Sequence, residues 1–99
     1  MKYKLVEDNG FSKLELSGDI DLHYSPDLRK LVLSVLDRNV GLVIDLFDVD
    51  YLDSSGVACF VEAYQVAKKK KLKFSMTKIS ESAMQVFKLA RLDQVFPIE

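Results

Sequence analysis

Apolar positions along the chain change their period several times, and each change marks an element. Residues 2–7 and 11–17 alternate as strands do: Leu14 and Leu16 are separated by Lys13, Glu15 and Ser17, which leaves one face wet. Between the two runs lies Asp8-Asn9-Gly10, and Asn-Gly accepts the positive φ angles of a tight type I′ hairpin turn. Gly18-Asp19-Ile20-Asp21 then breaks the alternation. From Ser25 the period becomes helical, with Leu28, Leu31, Val32, Val35 and Leu36 in one stripe. Ser25 suits the N-cap, Pro26 the first helical position, and Asp27 the positive end of the helix dipole.

Residues 42–47 form a nearly continuous apolar run, as expected of a central strand covered on both faces. A loop follows, then a second helix from Ser54 or Ser55 to Lys69, with Val57, Phe60, Val61 and Tyr64 inward. Lys68 to Lys71 gather at its carboxyl end, where cations meet the negative dipole. Residues 72–77 alternate again and read as a strand. Ser80 caps a last helix with Ala83, Val86, Phe87 and Ala90 on one face, and Pro97 ends regular structure. The order ββαβαβα predicts an α/β sandwich: a mixed sheet whose right-handed crossovers place the helices mainly on one face.

Composition adds bounds. Ninety-nine residues with 48% hydrophobic and 29% charged side chains suit one folded domain, expected to span 1–99. No apolar run approaches the roughly 18 to 20 residues that span a bilayer, and Met1-Lys2-Tyr3-Lys4 leads into no secretion signal. The single cysteine, Cys59, allows no internal disulfide, and its apolar neighbours predict a packed thiol. The expectation is a cytoplasmic protein without a membrane segment.

A net charge of −1 gives no reason to expect nucleic acid, and the lysines at 68–71 lack interleaved aromatics. The distribution says more. Residues 19–53 carry eight Asp against three bases, whereas residues 68–99 carry eight bases against three acids. Such polarity suits oriented docking to another protein.

Candidate chemistry concentrates in Asp45 to Gly56, where carboxylates at 45, 48, 50 and 53 and two hydroxyls precede a helix. Carboxyl ends of strands are where sites assemble in open α/β sheets. Either Asp53 or Ser54 can cap the helix, and a capping role alone would explain Ser54. Three other readings stay open on residue types. Ser54 could act as a nucleophile with His23 as base and Asp19 or Asp21 as orienter, although the Gly-x-Ser-x-Gly elbow is absent. The aspartates could hold a hard cation, although the calcium-loop spacing is absent. Asp45 could be a phosphoacceptor at a strand end, as in receiver domains.

Gly18-Asp19-Ile20-Asp21, the apolar strand, and Asp53-Ser54-Ser55-Gly56-Val57 together resemble the sulfate transporter and anti-sigma-factor antagonist (STAS) domain. The segment from Ile79 to Phe96 is similar to the last stretch of that family, so the likeness runs through the whole chain. The resemblance implies a non-enzymatic partner switch in transcription regulation. Ser54 would be phosphorylated by an anti-sigma factor that is a serine kinase, and a serine phosphatase would reset it. The unphosphorylated form would bind the kinase and free a sigma factor. Asp19, Asp21, His23, Asp53, Ser55, Gly56 and Val57 would form the partner surface. No cofactor or metal is expected; ATP belongs to the kinase. The same resemblance leaves a second role, a constitutive scaffold subunit in a lipid-transport or stress-signalling complex. The chain departs from the family pattern at Val57-Ala58, commonly Leu-Gly, and at Arg91, where many relatives have glycine.

Overall fold

The structure, a computed structural model, describes residues 1–99. Strand β1 (Lys2–Asp8) returns as β2 (Phe11–Ile20) through Asn9 at φ 33° and Gly10 at φ 88°, the paired positive angles a type I′ turn needs. Helix α1 (Ser25–Asp37) carries the chain over to β3 (Gly41–Leu52), parallel to β2. Helix α2 (Ser54–Lys69) does the same to β4 (Phe74–Thr77), parallel to β3. Helix α3 (Glu81–Leu89) and a short 3-10 turn (Leu92–Gln94) complete the order. The sheet runs β1-β2-β3-β4 and is mixed, as the element order predicts.

The helices cover one face. Leu14, Leu16, Leu42, Ile44, Leu46, Phe74 and Met76 from the sheet join Leu28, Val32 and Val35 of α1, Phe60, Ala63 and Ala67 of α2, and Phe87 of α3 in one core. A bidentate pair from Arg29 to Glu62, at 2.7 and 2.9 Å, ties α1 to α2 and holds the Glu62 carboxyl below its usual range. Within α2 the fully buried line is Gly56, Cys59, Phe60, Ala63 and Ala67. Of the residues expected inward, Val57, Val61 and Tyr64 only flank the core. Cys59 is packed as its neighbours suggest, and burial pushes its thiol up.

Several boundaries differ from the sequence reading. Strand β2 continues through Gly18, which takes φ +81° beside a register shift, so Gly18 to Ile20 bends the strand rather than ending it. Strand β3 continues to Leu52 because Asp48 and Val49, then Tyr51 and Leu52, pair with β2, with Asp50 as the extra residue at the register shift. Strand β4 starts at Phe74. Ser25 is not the N-cap: Tyr24 holds that position without a side-chain bond. The Asp21 carbonyl takes the Tyr24 and Ser25 amides, at 3.0 and 2.9 Å, and starts the helix from a turn. Beyond Pro97 the chain still pairs with the sheet at Met76↔Ile98.

Arg91 stands at φ 59°, ψ 24°, in the left-handed region. The turn after α3 is therefore the one a glycine would make. A side chain there costs roughly 1–2 kcal/mol, of which glycine's greater unfolded-state freedom offsets about half. Arg91→Gly is expected to raise stability by about 0.5–1 kcal/mol, read as a higher urea midpoint at unchanged slope.

Candidate functional site

The carboxyl ends of β2 and β3 lie side by side, with Ile20 opposite Leu52. Asp53 follows directly and joins the two chains. Its amide donates to the Ile20 carbonyl at 3.2 Å, and its Oδ2 accepts the Leu22 amide at 3.2 Å. Its Oδ1 accepts the Ser55 amide at 2.9 Å, the Gly56 amide at 3.3 Å, and the Ser55 hydroxyl. Asp53 is thus the N-cap of α2, and it also fixes the 20–22 segment against the helix start.

These bonds favour the ionised carboxyl. The Ser55 hydroxyl acts most, and the Gly56, Ser55 and Leu22 amides add to it against some desolvation, so Asp53 titrates below its ordinary value. A depressed folded value contributes stability above the unfolded carboxylate value, about pH 4, and that stability is lost as pH falls through the folded value. Asp53→Asn is expected to flatten the acid limb of a melting-temperature profile below about pH 4. Asp53→Ala is expected to cost about 1 kcal/mol at neutral pH by loss of the cap.

Because Asp53 does the capping, Ser54 is the first helical residue, exposed and outside the cap bonds. A capping role therefore does not account for Ser54. Ser55 is half-buried, with its hydroxyl turned to Asp53. Gly56 is fully buried, and Val57 is half-buried against the core. Of the expected surface residues, these last three frame the site from beneath. Asp19 is exposed on β2 opposite Tyr51, and His23 is exposed, its ring centroid 4.7 Å from that of Tyr24 in an edge-to-face arrangement. Asp21 accepts the His23 backbone amide at 3.0 Å, not the imidazole. No Ser54–His23–Asp relay is assembled.

The aspartates do not form a cation cradle either, and no group of three acidic, His or Cys side chains converges. Asp45 sits inside β3 rather than at its end, 5% exposed. It accepts the Phe47 amide at 2.9 Å and pairs with Lys13 at 3.7 Å on the face away from the helices. Its place within β3, seven residues before the strand ends, disposes of the receiver-like reading, which needs a strand-end aspartate.

Two residues enlarge the site. Leu22 is 72% exposed and Tyr51 is 52% exposed, both within the segments that Asp53 and the β2–β3 pairing hold at the start of α2. Tyr51 lies two residues before the Asp53 cap. For Leu22 the available signal in the sequence is an apolar residue set between Asp21 and His23. Surface depressions lie at the β1–β2 turn, over the open sheet face and on α3, and Ser54 lines none of these.

The start of α2 on this mixed-sheet α/β fold thus presents an exposed serine beside the Asp53 cap, on a surface that those depressions do not reach. The STAS domain matches residues 2–99, and the chain belongs to that family. It is similar to the anti-sigma-B factor antagonist of Bacillus subtilis (strain 168), at 28% identity over 86 residues, 87% of this chain and 79% of the relative. An anti-sigma factor antagonist from Mycobacterium paratuberculosis superimposes with TM-score 0.85 at 26% identity, covering 98% of this chain and 83% of that one. The Bacillus cell fate determinant SpoIIAA in its phosphorylated form has TM-score 0.78 at 15% identity, covering 99% and 91%.

Proposed function

We propose that this chain is an anti-sigma-factor antagonist: unphosphorylated, it binds an anti-sigma factor, and phosphate on Ser54 ends that binding. The observation that carries the reading is the division of labour at α2, where Asp53 takes the cap and leaves Ser54 exposed as the first residue of the helix. The names of the relatives support an anti-sigma factor as partner, and the phosphorylated SpoIIAA supports a phosphate-bearing state. The partner would be a serine kinase using its own ATP, with a phosphatase restoring the hydroxyl. The chain works in the cytoplasm as a single domain, by contact rather than catalysis, and no helix is long and apolar enough to cross a membrane.

The physical consequence of the phosphate follows from the cap. The Ser55 and Gly56 amides already serve Asp53, so a phosphate at position 54 meets the helix dipole but finds those donors taken. It adds about −1.5 to −2 charges beside an ionised Asp53. Dipole attraction and carboxylate repulsion oppose each other, so the net effect on stability is expected to stay within about 1 kcal/mol, a melting shift of about 4–8 °C or less. Circular dichroism of phosphorylated protein should match the unmodified form, and large loss of helix would refute a switch by surface charge.

The direct test is capture of partners from the host with unmodified protein and with Ser54→Asp. A kinase-like anti-sigma factor retained by the first and lost by the second supports the switch. Equal retention by both would make the chain a constitutive scaffold subunit.

A further inference from the structure

The two edges of the sheet are finished differently. At β4 the chain's own end closes the edge: the Met76 amide donates to the Pro97 carbonyl and the Glu99 amide to the Met76 carbonyl, both at 2.8 Å. At β1 nothing lies beyond the strand. Its ladder to β2 runs from Lys2↔Ser17 to Asp8↔Phe11 without a register shift, and it contains no proline. A regular, uncovered edge offers unpaired amides and carbonyls to another strand. In a hairpin with a two-residue turn, Asp8 and Phe11 form a hydrogen-bonded pair. Lys2, Lys4, Val6 and Asp8 therefore face their amides to β2, while Tyr3, Leu5 and Glu7 face theirs outward.

Edge lysines ordinarily discourage pairing, but here the opposite charge lies on the same strand. Bases occupy its start, Lys2 and Lys4, and acids its end, Glu7 and Asp8. Glu7 is already held by Arg38 at 2.6 Å, whereas Lys2, Lys4 and Asp8 have no ion-pair partner in the chain. We propose that β1 is a self-association edge, pairing antiparallel with β1 of a second copy about a two-fold axis at Leu5. That register sets Tyr3 against Glu7 and Leu5 against Leu5, so every outward-facing residue exchanges hydrogen bonds with another. Lys2 of one copy then opposes Asp8 of the other at the close, non-hydrogen-bonded spacing, where opposite charges attract most. The result is one continuous sheet through both copies. Ser54 follows β3, two strands inside the edge and about 10 Å from it, so both sites stay open.

Sedimentation velocity over a dilution series reaching millimolar protein, at low and high salt, tests the pairing. The native chain is expected to dimerise reversibly, more weakly at high salt because the cross-copy charges are exposed. Tyr3→Pro removes an outward amide that β2 does not use, and should raise the dimer dissociation constant tenfold or more. Asp8→Lys should do likewise, and the charge exchange of Lys2→Asp with Asp8→Lys should restore dimerisation. A chain that stays monomeric at every concentration would overturn the proposal. So would a dimer that survives Asp8→Lys unchanged, whatever Tyr3→Pro does to folding.

Discussion

Phosphate on Ser54 is expected to weaken the complex with the anti-sigma factor by about a hundredfold or more, against a far smaller change in fold stability. The size follows from where the charge arrives. The proposed contact surface includes Leu22 and Tyr51, 72% and 52% exposed, and docking there would remove water from them and from the start of α2 together. An unmodified hydroxyl is easily accommodated there. A phosphate is not, because it must be desolvated beside Asp53, whose carboxylate is held ionised by the Ser55 hydroxyl. Like-charge juxtaposition at a desolvated contact costs several kcal/mol, and about 3 kcal/mol corresponds to two decades of affinity. Ser54→Asp carries one charge on a shorter arm, so about tenfold is expected from it. Ser54→Ala should bind as the native chain does and take up no phosphate. Calorimetric titration of the purified partner with the four forms reads all of these. Equal affinities for native and phosphorylated protein would refute the proposed switch.

Gly56→Ala is expected to lower stability by about 1–3 kcal/mol, opposite in sign to what helix propensity says. In an unconstrained helix interior the change would gain about 0.5–1 kcal/mol. Here a Cβ would stand 2.6 Å from Leu52 Cδ1 and 2.7 Å from Ile20 Cγ2, with the Ile20 carbonyl at 3.3 Å. Both side chains are buried at the ends of β3 and β2, 3% and 0% exposed, so neither can swing away without opening the core. Relief requires α2 to lift from the sheet. That movement would stretch the bond from the Leu22 amide to Asp53 and misplace the contact surface as well. The variant should therefore lose melting temperature and partner affinity together, whereas Ser54→Asp loses affinity alone. A stabilised Gly56→Ala protein would show that the first turn of α2 is free to shift.

Much of the site was legible because local rules happen to dominate there. An aspartate ahead of two serines and a glycine, following an apolar strand, signals a helix start, and α2 begins at Ser54, one of the two starts that pattern allows. Which of Asp53 and Ser54 would cap was not legible, since either side chain can. The choice fell to Asp53 because it reaches two segments at once, the α2 amides and the Leu22 amide 31 residues away. Leu22 escaped notice for the same reason: its exposure depends on a strand bend at Gly18 and a turn closed by the Asp21 carbonyl. The aspartates at 48 and 50 read as part of a loop because their charge hid the continuation of the strand. Pairing of Ser17 with Asp48 and of Asp19 with Tyr51 carries β3 through this stretch, Asp50 being the extra residue between them, and Lys13 on that same neighbouring strand compensates Asp45.

By itself the sequence determined the element order, the helix-bearing face of the sheet and the Asp53–Gly56 turn, because periodicity, turn chemistry and capping act over a few residues. Only the tertiary structure decided how far β2 and β3 extend, that Gly56 must lack a side chain, and that Ser54 is free while Asp53 is not. Those outcomes depend on contacts between segments some 30 residues apart, such as Ile20 with Leu52 and Leu22 with Asp53. Their energies arise from packing and shared hydrogen bonds that no short window of sequence contains.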